Sequence, residues 1–223
     1  DADKDGDLDL FVVTGSNEFA ENAPELHDLL YLNDGKGNLK RDVRFPMIYE
    51  NGSSVSAADY DKDGDIDLFV GTRMINAKYG QSAQSNLFIN DGTGGFKNQS
   101  KRYMTQVTDL GMVTDSEWSD VNGDGYVDLL VTQDWGPVVV FINERGRKLT
   151  KQDPVAGSEG LWSCIKPADI DGDGDMDFVL GNFGLNSKIQ ATAEKPAYLH
   201  VGDFDKNGAV EQIISCVTED GNT

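Results

Sequence analysis

The chain has 223 residues, a length that fits one domain or two small ones, and carries 39 acidic against 19 basic side chains for a formal net charge of −20. That excess excludes nucleic-acid phosphate as a ligand, because such binding rests on Lys and Arg displacing counterions, and it excludes docking on an anionic membrane for the same reason. No apolar run approaches the roughly 18–20 residues of a spanning helix, so no direct membrane insertion is expected, and 38% hydrophobic residues in short β-like clusters argue against a disordered acidic chain.

The dominant pattern begins at the first residue. Asp1-Ala2-Asp3-Lys4-Asp5-Gly6-Asp7-Leu8-Asp9 leads into an apolar run at 10–13. Because the chain opens inside this motif, it is expected to be a processed protein or a piece of a longer one, and localisation is not legible from a missing leader. The spacing D-x-D/N-x-D/N-G-x-x-D/E returns four times. The second copy carries Asp59, Asp61, Asp63, Gly64, Asp65 and Asp67; the third carries Asp120, Asn122, Asp124, Gly125, Tyr126 and Asp128. The fourth carries Asp169, Asp171, Asp173, Gly174, Asp175 and Asp177; the fifth, weaker, carries Asp203, Asp205, Asn207, Gly208, Ala209 and Glu211. An apolar run follows each copy, and self-similarity at such intervals predicts an array of like units.

A second signal sits between the first ones. Tyr31-Leu32-Asn33-Asp34-Gly35 matches Leu87-Phe88-Ile89-Asn90-Asp91-Gly92, and Phe141-Ile142-Asn143-Glu144 is a degenerate third copy. An apolar run, then Asn-Asp-Gly, then another β-like segment reads as a hairpin with a tight turn. Each unit thus holds four antiparallel strands with the acidic loop between the first two, which is the blade of a β-propeller. Residues 16–29 and 73–86 read as polar connections, and the unit beginning near Gly160 has a longer one through 182–186. The predicted organisation is a single propeller segment over 1–223. It comprises a partial first blade at 1–50, blades at 51–105 and 106–155, a fourth at 156–195 and the start of a fifth at 196–223.

The acidic loops read as metal sites. Three to five carboxylates within nine residues repel one another unless a cation neutralises them. Positions one, three and five of a curling backbone place oxygens on one side, glycine at position six permits the sharp turn, and the position-seven carbonyl with the position-nine carboxylate closes the shell. All-oxygen ligation selects a hard cation, and many flexible oxygens favour Ca²⁺ over Mg²⁺. An EF-hand shares positions one, three, five and six but needs Glu at position twelve between helices. Here position twelve is Val12, Val70, Val131, Leu180 and Ile214, all apolar and in β-like runs, so that reading fails in every copy. The five motifs hold 21 of the 39 carboxylates, and about one Ca²⁺ per loop, up to five, halves the formal charge.

Other constellations are weaker. His27 and His200 are the only histidines, too few for a zinc site without carboxylates. No G-x-S-x-G elbow is present, and the glycines at 92–95 lie in a hairpin rather than ahead of a helix, so no phosphate cradle is expected. Trp118 and Trp162, ahead of acidic loops, are expected in the core. Cys164 and Cys216 are expected to be buried free thiols in strands. Trp135, Arg73, Tyr79 and Phe19, in connections, are the candidate ligand-binding residues.

The repeated D-x-D-x-D-G-x-x-D-L motifs and the L-x-N-D-G-x-G-x-F turns resemble the FG-GAP/VCBS repeats, calcium-loop propellers related to the integrin α-chain head. Gly111-Met112-Val113-Thr114-Asp115, Asp134-Trp135-Gly136-Pro137 and the run 181–187 resemble secreted or envelope-anchored bacterial VCBS proteins of the ASPIC/UnbV-associated, cartilage-acidic-protein-like group. The resemblance implies an all-β fold of four-stranded blades, here part of a usually seven-bladed propeller with the remaining blades elsewhere in a longer chain. It also implies an extracellular, periplasmic or cell-surface setting. The expected function is non-catalytic protein or glycan binding or adhesion; the alternatives are an accessory propeller of a polysaccharide-acting enzyme such as a lyase, or a structural spacer.

Overall fold

The structure, a computed structural model, describes residues 1–104, 110–184, 187–189 and 191–217. Leu185 and Asn186 of the 181–187 run, the expected boundary at 105/106 and the end of the expected fifth unit therefore lie outside the described residues. Among the described residues the fold is nearly all β, with helical turns only at Pro24–Leu26 and in α1 (Ser100–Tyr103). No helix among them is long and apolar enough to cross a membrane.

The strands fall into antiparallel sheets in chain order. The first sheet is β1 (Leu10–Val12), β2 (Leu29–Asn33) and β3 (Leu39–Asp42); the second is β4 (Asn51–Ala58), β5 (Asp67–Met74), β6 (Asn86–Ile89) and β7 (Lys97–Asn98). The third unit is β8 (Met112–Ser119), β9 (Asp128–Gly136), β10 (Val139–Asn143) and β11 (Leu149–Lys151). Next come the hairpins β12 (Gly160–Ala168) with β13 (Asp177–Asn182), and β14 (Ala197–Gly202) with β15 (Glu211–Cys216). The sheets do not close into a ring. Between β13 and β14 the described residues hold no further strand. The start of β12 also pairs with the end of β9 through Gly160–Gly136 and Leu161–Asp134, joining the third and fourth units in one sheet.

Period-two alternation decides which way each side chain faces. On the second sheet, Leu68, Val70 and Phe88 point to one side and pack with Leu30, Phe45 and Phe96. Phe69 and Leu87 point to the other and pack with Val113, Leu129, Val131 and Phe141 of the third unit. The central strand β5 is therefore apolar on both faces, and the core consists of two layers between adjacent sheets. Phe45 lies at the centre of one layer, its ring centroid 4.9 Å from Phe11 and 4.8 Å from Phe88. Gly71 allows close approach of the second and third units, since a Cβ there would lie 2.5 Å from Cγ1 of Val113. Beside it the Ser53 hydroxyl donates to the Val113 carbonyl at 2.7 Å.

The turn asparagines stitch unit to unit. Asn90 Nδ2 donates to the carbonyl of Ala2 at 2.8 Å, and Asn143 Nδ2 to that of Tyr60 at 2.9 Å. Each acceptor is position two of the preceding acidic loop, and each amide also reaches its own unit's position eight, Ile66 or Val127. In the first unit, Asn33 keeps only the second of these bonds, to Leu8 at 3.1 Å, and its Oδ1 is buried without a partner.

Two expectations from the sequence change here. Cys164 is exposed and Cys216 half-buried, though both are free. Sheets four and five carry no packed layer over these faces, and Val179, Tyr198 and Ile213 are exposed with them. Trp118 is buried in the core, but Trp162 is only half-buried, because β12 borders the end of the two-layer core rather than its middle.

Asn143 makes three side-chain hydrogen bonds, the third accepting from Gly146 N–H at 2.7 Å. At roughly 1 kcal/mol net per bond, and more for a buried orphan, Asn143→Ala is expected to cost about 3 kcal/mol in urea unfolding and Asn33→Ala about 1 kcal/mol. Equal losses would refute the stitching role. Asp28, buried ahead of β2, accepts from Thr14 N–H at 2.8 Å, yet burial pushes its carboxyl up from 3.8 to about 6. The folded state thus penalises ionisation: the penalty is absent below pH ~4, grows as pH rises through about 6, and is full above it. Asp28→Asn is expected to be more stable than the parent at pH 8, by on the order of 2 kcal/mol, with the gain vanishing at pH 3.5. Chemical denaturation at the two pH values checks it.

Candidate metal centres

All five acidic loops fold the same way. The position-six glycine N–H donates to the position-one carboxylate in Asp1, Asp59, Asp120, Asp169 and Asp203, at 2.7–3.2 Å. The position-seven N–H donates to position five, namely Asp5, Asp63, Asp124, Asp173 and Asn207, at 2.7–2.9 Å. Positions four and six both adopt the left-handed conformation. Position four is Lys4, Lys62, Gly123, Gly172 and Lys206, with φ between 62° and 78°. A left-handed residue at four and again at six curls the chain tightly enough to turn alternate side chains inward; glycine adopts this freely, and the lysines bear a steric cost.

Position nine closes the loop. Asp9, Asp67, Asp128, Asp177 and Glu211 each accept the position-two N–H. In the first three, the second oxygen accepts the N–H of the turn asparagine, Asn33, Asn90 or Asn143, at 2.7–2.9 Å. One carboxylate thus ties the acidic loop to the hairpin of its own sheet. Burial pushes the Asp67 carboxyl up to about 7 against those two donors, and raises that of Asp128.

Four loops gather three carboxylates whose ligand oxygens lie within 4.8 Å of one another: Asp1, Asp3 and Asp5; Asp59, Asp61 and Asp67; Asp169, Asp171 and Asp177; Asp203, Asp205 and Glu211. The third loop gathers none among the described residues; Asn122 stands at its position three where the other four loops carry an aspartate. A cation fits the first two loops on a further ground. Asp3 Oδ1, Asp59 Oδ1 and Asp61 Oδ1 are buried and accept no hydrogen bond. Burial and the neighbouring Asp63 also raise the Asp61 carboxyl. Buried carboxylate oxygens crowded together without donors are costly unless a positive charge sits among them. These clusters can hold a metal ion, and their all-oxygen donor sets suit a hard one.

Position seven receives the lysine of the preceding loop at two places. Lys4, at position four of the first loop, pairs with Asp65 of the second. Lys62, at position four of the second, lies over the Tyr126 ring of the third, 4.3 Å from its centroid. Asp7 is half-buried, and Asp175 and Ala209 are exposed. The lysine contacts escape a reading that treats each motif alone, although Lys recurs at position four three times.

The candidate ligand residues lie at the opposite ends of the strands. Arg73 Nε and Nη2 donate to Oδ2 of Asp134 at 2.8 and 2.6 Å; Tyr79 Oη lies 3.5 Å from the same oxygen and accepts from Trp135 Nε1 at 3.0 Å. Trp135, the penultimate residue of β9, lies in the left-handed region, φ 56°. Phe19 stands apart, 40% exposed, with its carbonyl accepting from Asn76. The sequence reading missed Asp134, on which Arg73 and Tyr79 converge, with Trp135 joined to them through Tyr79.

A family model described as FG-GAP-like repeat matches residues 1–70 and 120–180, more than half of the chain and including the first four acidic loops. No curated protein matches the chain.

Asp67 and Asp61 separate the two roles of these carboxylates. Asp67→Ala orphans the N–H groups of Tyr60 and Asn90 and is expected to cost about 3 kcal/mol even in chelator. Asp61→Asn removes an oxygen that accepts nothing from the protein, so it is expected to be neutral or stabilising in chelator and to lower stability only with divalent cation present. Melting curves in both conditions test the pair; a loss for Asp61→Asn in chelator would contradict this division.

Proposed function

The chain belongs to the FG-GAP-like repeat family, and from that premise we propose that it is a calcium-stabilised, non-catalytic recognition module of the extracellular space or cell envelope, built as part of a propeller and binding a protein or glycan ligand. The observation that carries the metal reading is the set of buried, donorless oxygens on Asp3, Asp59 and Asp61 inside oxygen-only clusters. Calcium suits these loops better than magnesium, because it accepts six to eight oxygens in flexible geometry whereas magnesium demands a near-ideal octahedron. Free calcium outside the cell reaches the ~10⁻⁴–10⁻³ M range suited to weak modules, which supports the setting. The narrower kinship with secreted bacterial VCBS proteins belongs to the same proposal.

The ions in this reading are structural. Each offsets part of one loop's negative charge and holds two strand ends together, and it stabilises the fold by binding the native state alone. At 100 times its dissociation constant, one calcium contributes about 2.7 kcal/mol, or roughly 5–10 °C in Tm for a chain of this size. Melting in calcium, magnesium and excess EDTA tests the proposal. Calcium is expected to raise Tm by at least that much over EDTA, and magnesium to restore it only in part. A melting curve that EDTA leaves unchanged would falsify the metal reading.

A further inference from the structure

At the strand ends remote from the acidic loops, a cleft of about 370 Å³ opens among the first four units. Asn17 of the first unit, Asn51 and Arg73 of the second, Asp134 of the third, and Trp162 and Ser163 of the fourth line it. No single unit builds this cleft; it exists because four sheets converge there. Its volume sits at the lower end of the roughly 300–1,000 Å³ common for small-ligand sites.

The chemistry of the walls is specific. In a chain of net charge −20 this cleft is charge-balanced, one guanidinium against one carboxylate. Both Arg73 donors fall on Oδ2 of Asp134, which leaves Asp134 Oδ1 and Arg73 Nη1 without a protein partner among the described residues. Asn51 donates to Asn17 Oδ1 at 3.2 Å, leaving the Asn17 amide nitrogen as a donor. The Trp162 N–H is engaged by the Ser158 carbonyl at 2.7 Å, so Trp162 contributes carbon surface to the cleft. Behind the wall, Trp135 donates to Tyr79, whose hydroxyl reaches Asp134, and Trp135 holds a left-handed backbone that bulky residues rarely adopt. A residue held in a strained backbone conformation next to a half-buried carboxylate is a feature that clusters at ligand sites.

We infer that this cleft is a subsite for a neutral saccharide. A pyranose presents adjacent hydroxyls that donate and accept at once, which matches the open Asp134 Oδ1 beside the open Arg73 Nη1. The C–H face of the sugar packs on the Trp162 ring. Acidic sugars meet the repulsion of the chain's own charge, and a cation meets Arg73. The inference rests on the recognition-module reading above, and names its ligand class and place.

The test uses the calcium-loaded chain and a panel of probes: glucose, galactose, mannose, N-acetylglucosamine, their β-1,4 disaccharides, and glucuronate as the anionic control. Calorimetric titration is expected to give a dissociation constant between about 0.1 and 10 mM for at least one neutral sugar. Asp134→Asn and Ser163→Phe, the latter filling the cleft from an exposed position, are each expected to weaken it at least tenfold with an unchanged melting curve. Should one variant fail to fold, the other decides. No binding of any neutral sugar at 50 mM, binding of glucuronate alone, or undiminished binding in a folded variant would each overturn the subsite. A chain that still gains its calcium-dependent Tm while ignoring sugars loses only this inference; a chain whose melting ignores calcium loses the parent reading.

Discussion

The structure depends on how one carboxylate satisfies two backbone donors at once. In Asp9, Asp67 and Asp128, one oxygen takes the N–H at the second residue of the acidic loop and the other takes the N–H of the asparagine that opens the hairpin turn. Without that acceptor, two peptide groups per unit would lie inside the protein with nothing to bind. With it, the loop, the second strand and the third strand are locked in a single register. The asparagine then extends the chain of contacts into the neighbouring unit through Nδ2, so local loop chemistry becomes long-range packing. Bonds within the loop thereby set how far apart the sheets stand.

This arrangement explains why the same motif carries two kinds of acid. Position nine is occupied by backbone donors in every loop, and at Asp67 and Asp128 burial also pushes its carboxyl up. Positions one and three keep oxygens that the protein does not satisfy. One set shapes the loop and the other charges it. Burial is also graded along the chain in a way the stitching accounts for. Position two is buried at Ala2 and Tyr60, where the next unit's turn lies across it, but exposed at Val121, Ile170 and Phe204, where no such turn is described.

Much of this was legible from residues alone. The acidic motif, the apolar run after it and the Asn-Asp-Gly hairpins were enough for the strand order of the second and third units, because glycine and paired apolar runs act locally. The all-oxygen loops were legible for the same reason. What depends on how units meet was not. Trp162 reads as core from its place ahead of a motif, yet the fourth sheet has a layer on too little of its surface to enclose it. Cys164 lies in an apolar run but on the open side of that sheet. Asp134 is one acid among many in the sequence, and only the crossing of strand ends brings Arg73 and Tyr79 to it. The Gly160–Gly136 pairing, which merges the third and fourth units, leaves no periodic trace at all.

The lysines at position four carry a further consequence. Because Lys4 sits on the second loop and Lys62 on the third, neighbouring loops are electrostatically coupled. An ion entering the second loop meets an ammonium group already sharing its field, whereas the first loop has no described lysine behind it. The rim is thereby tied loop to loop by side chains as well as through the sheets, so a change of charge in one loop is felt by the lysine its neighbour supplies.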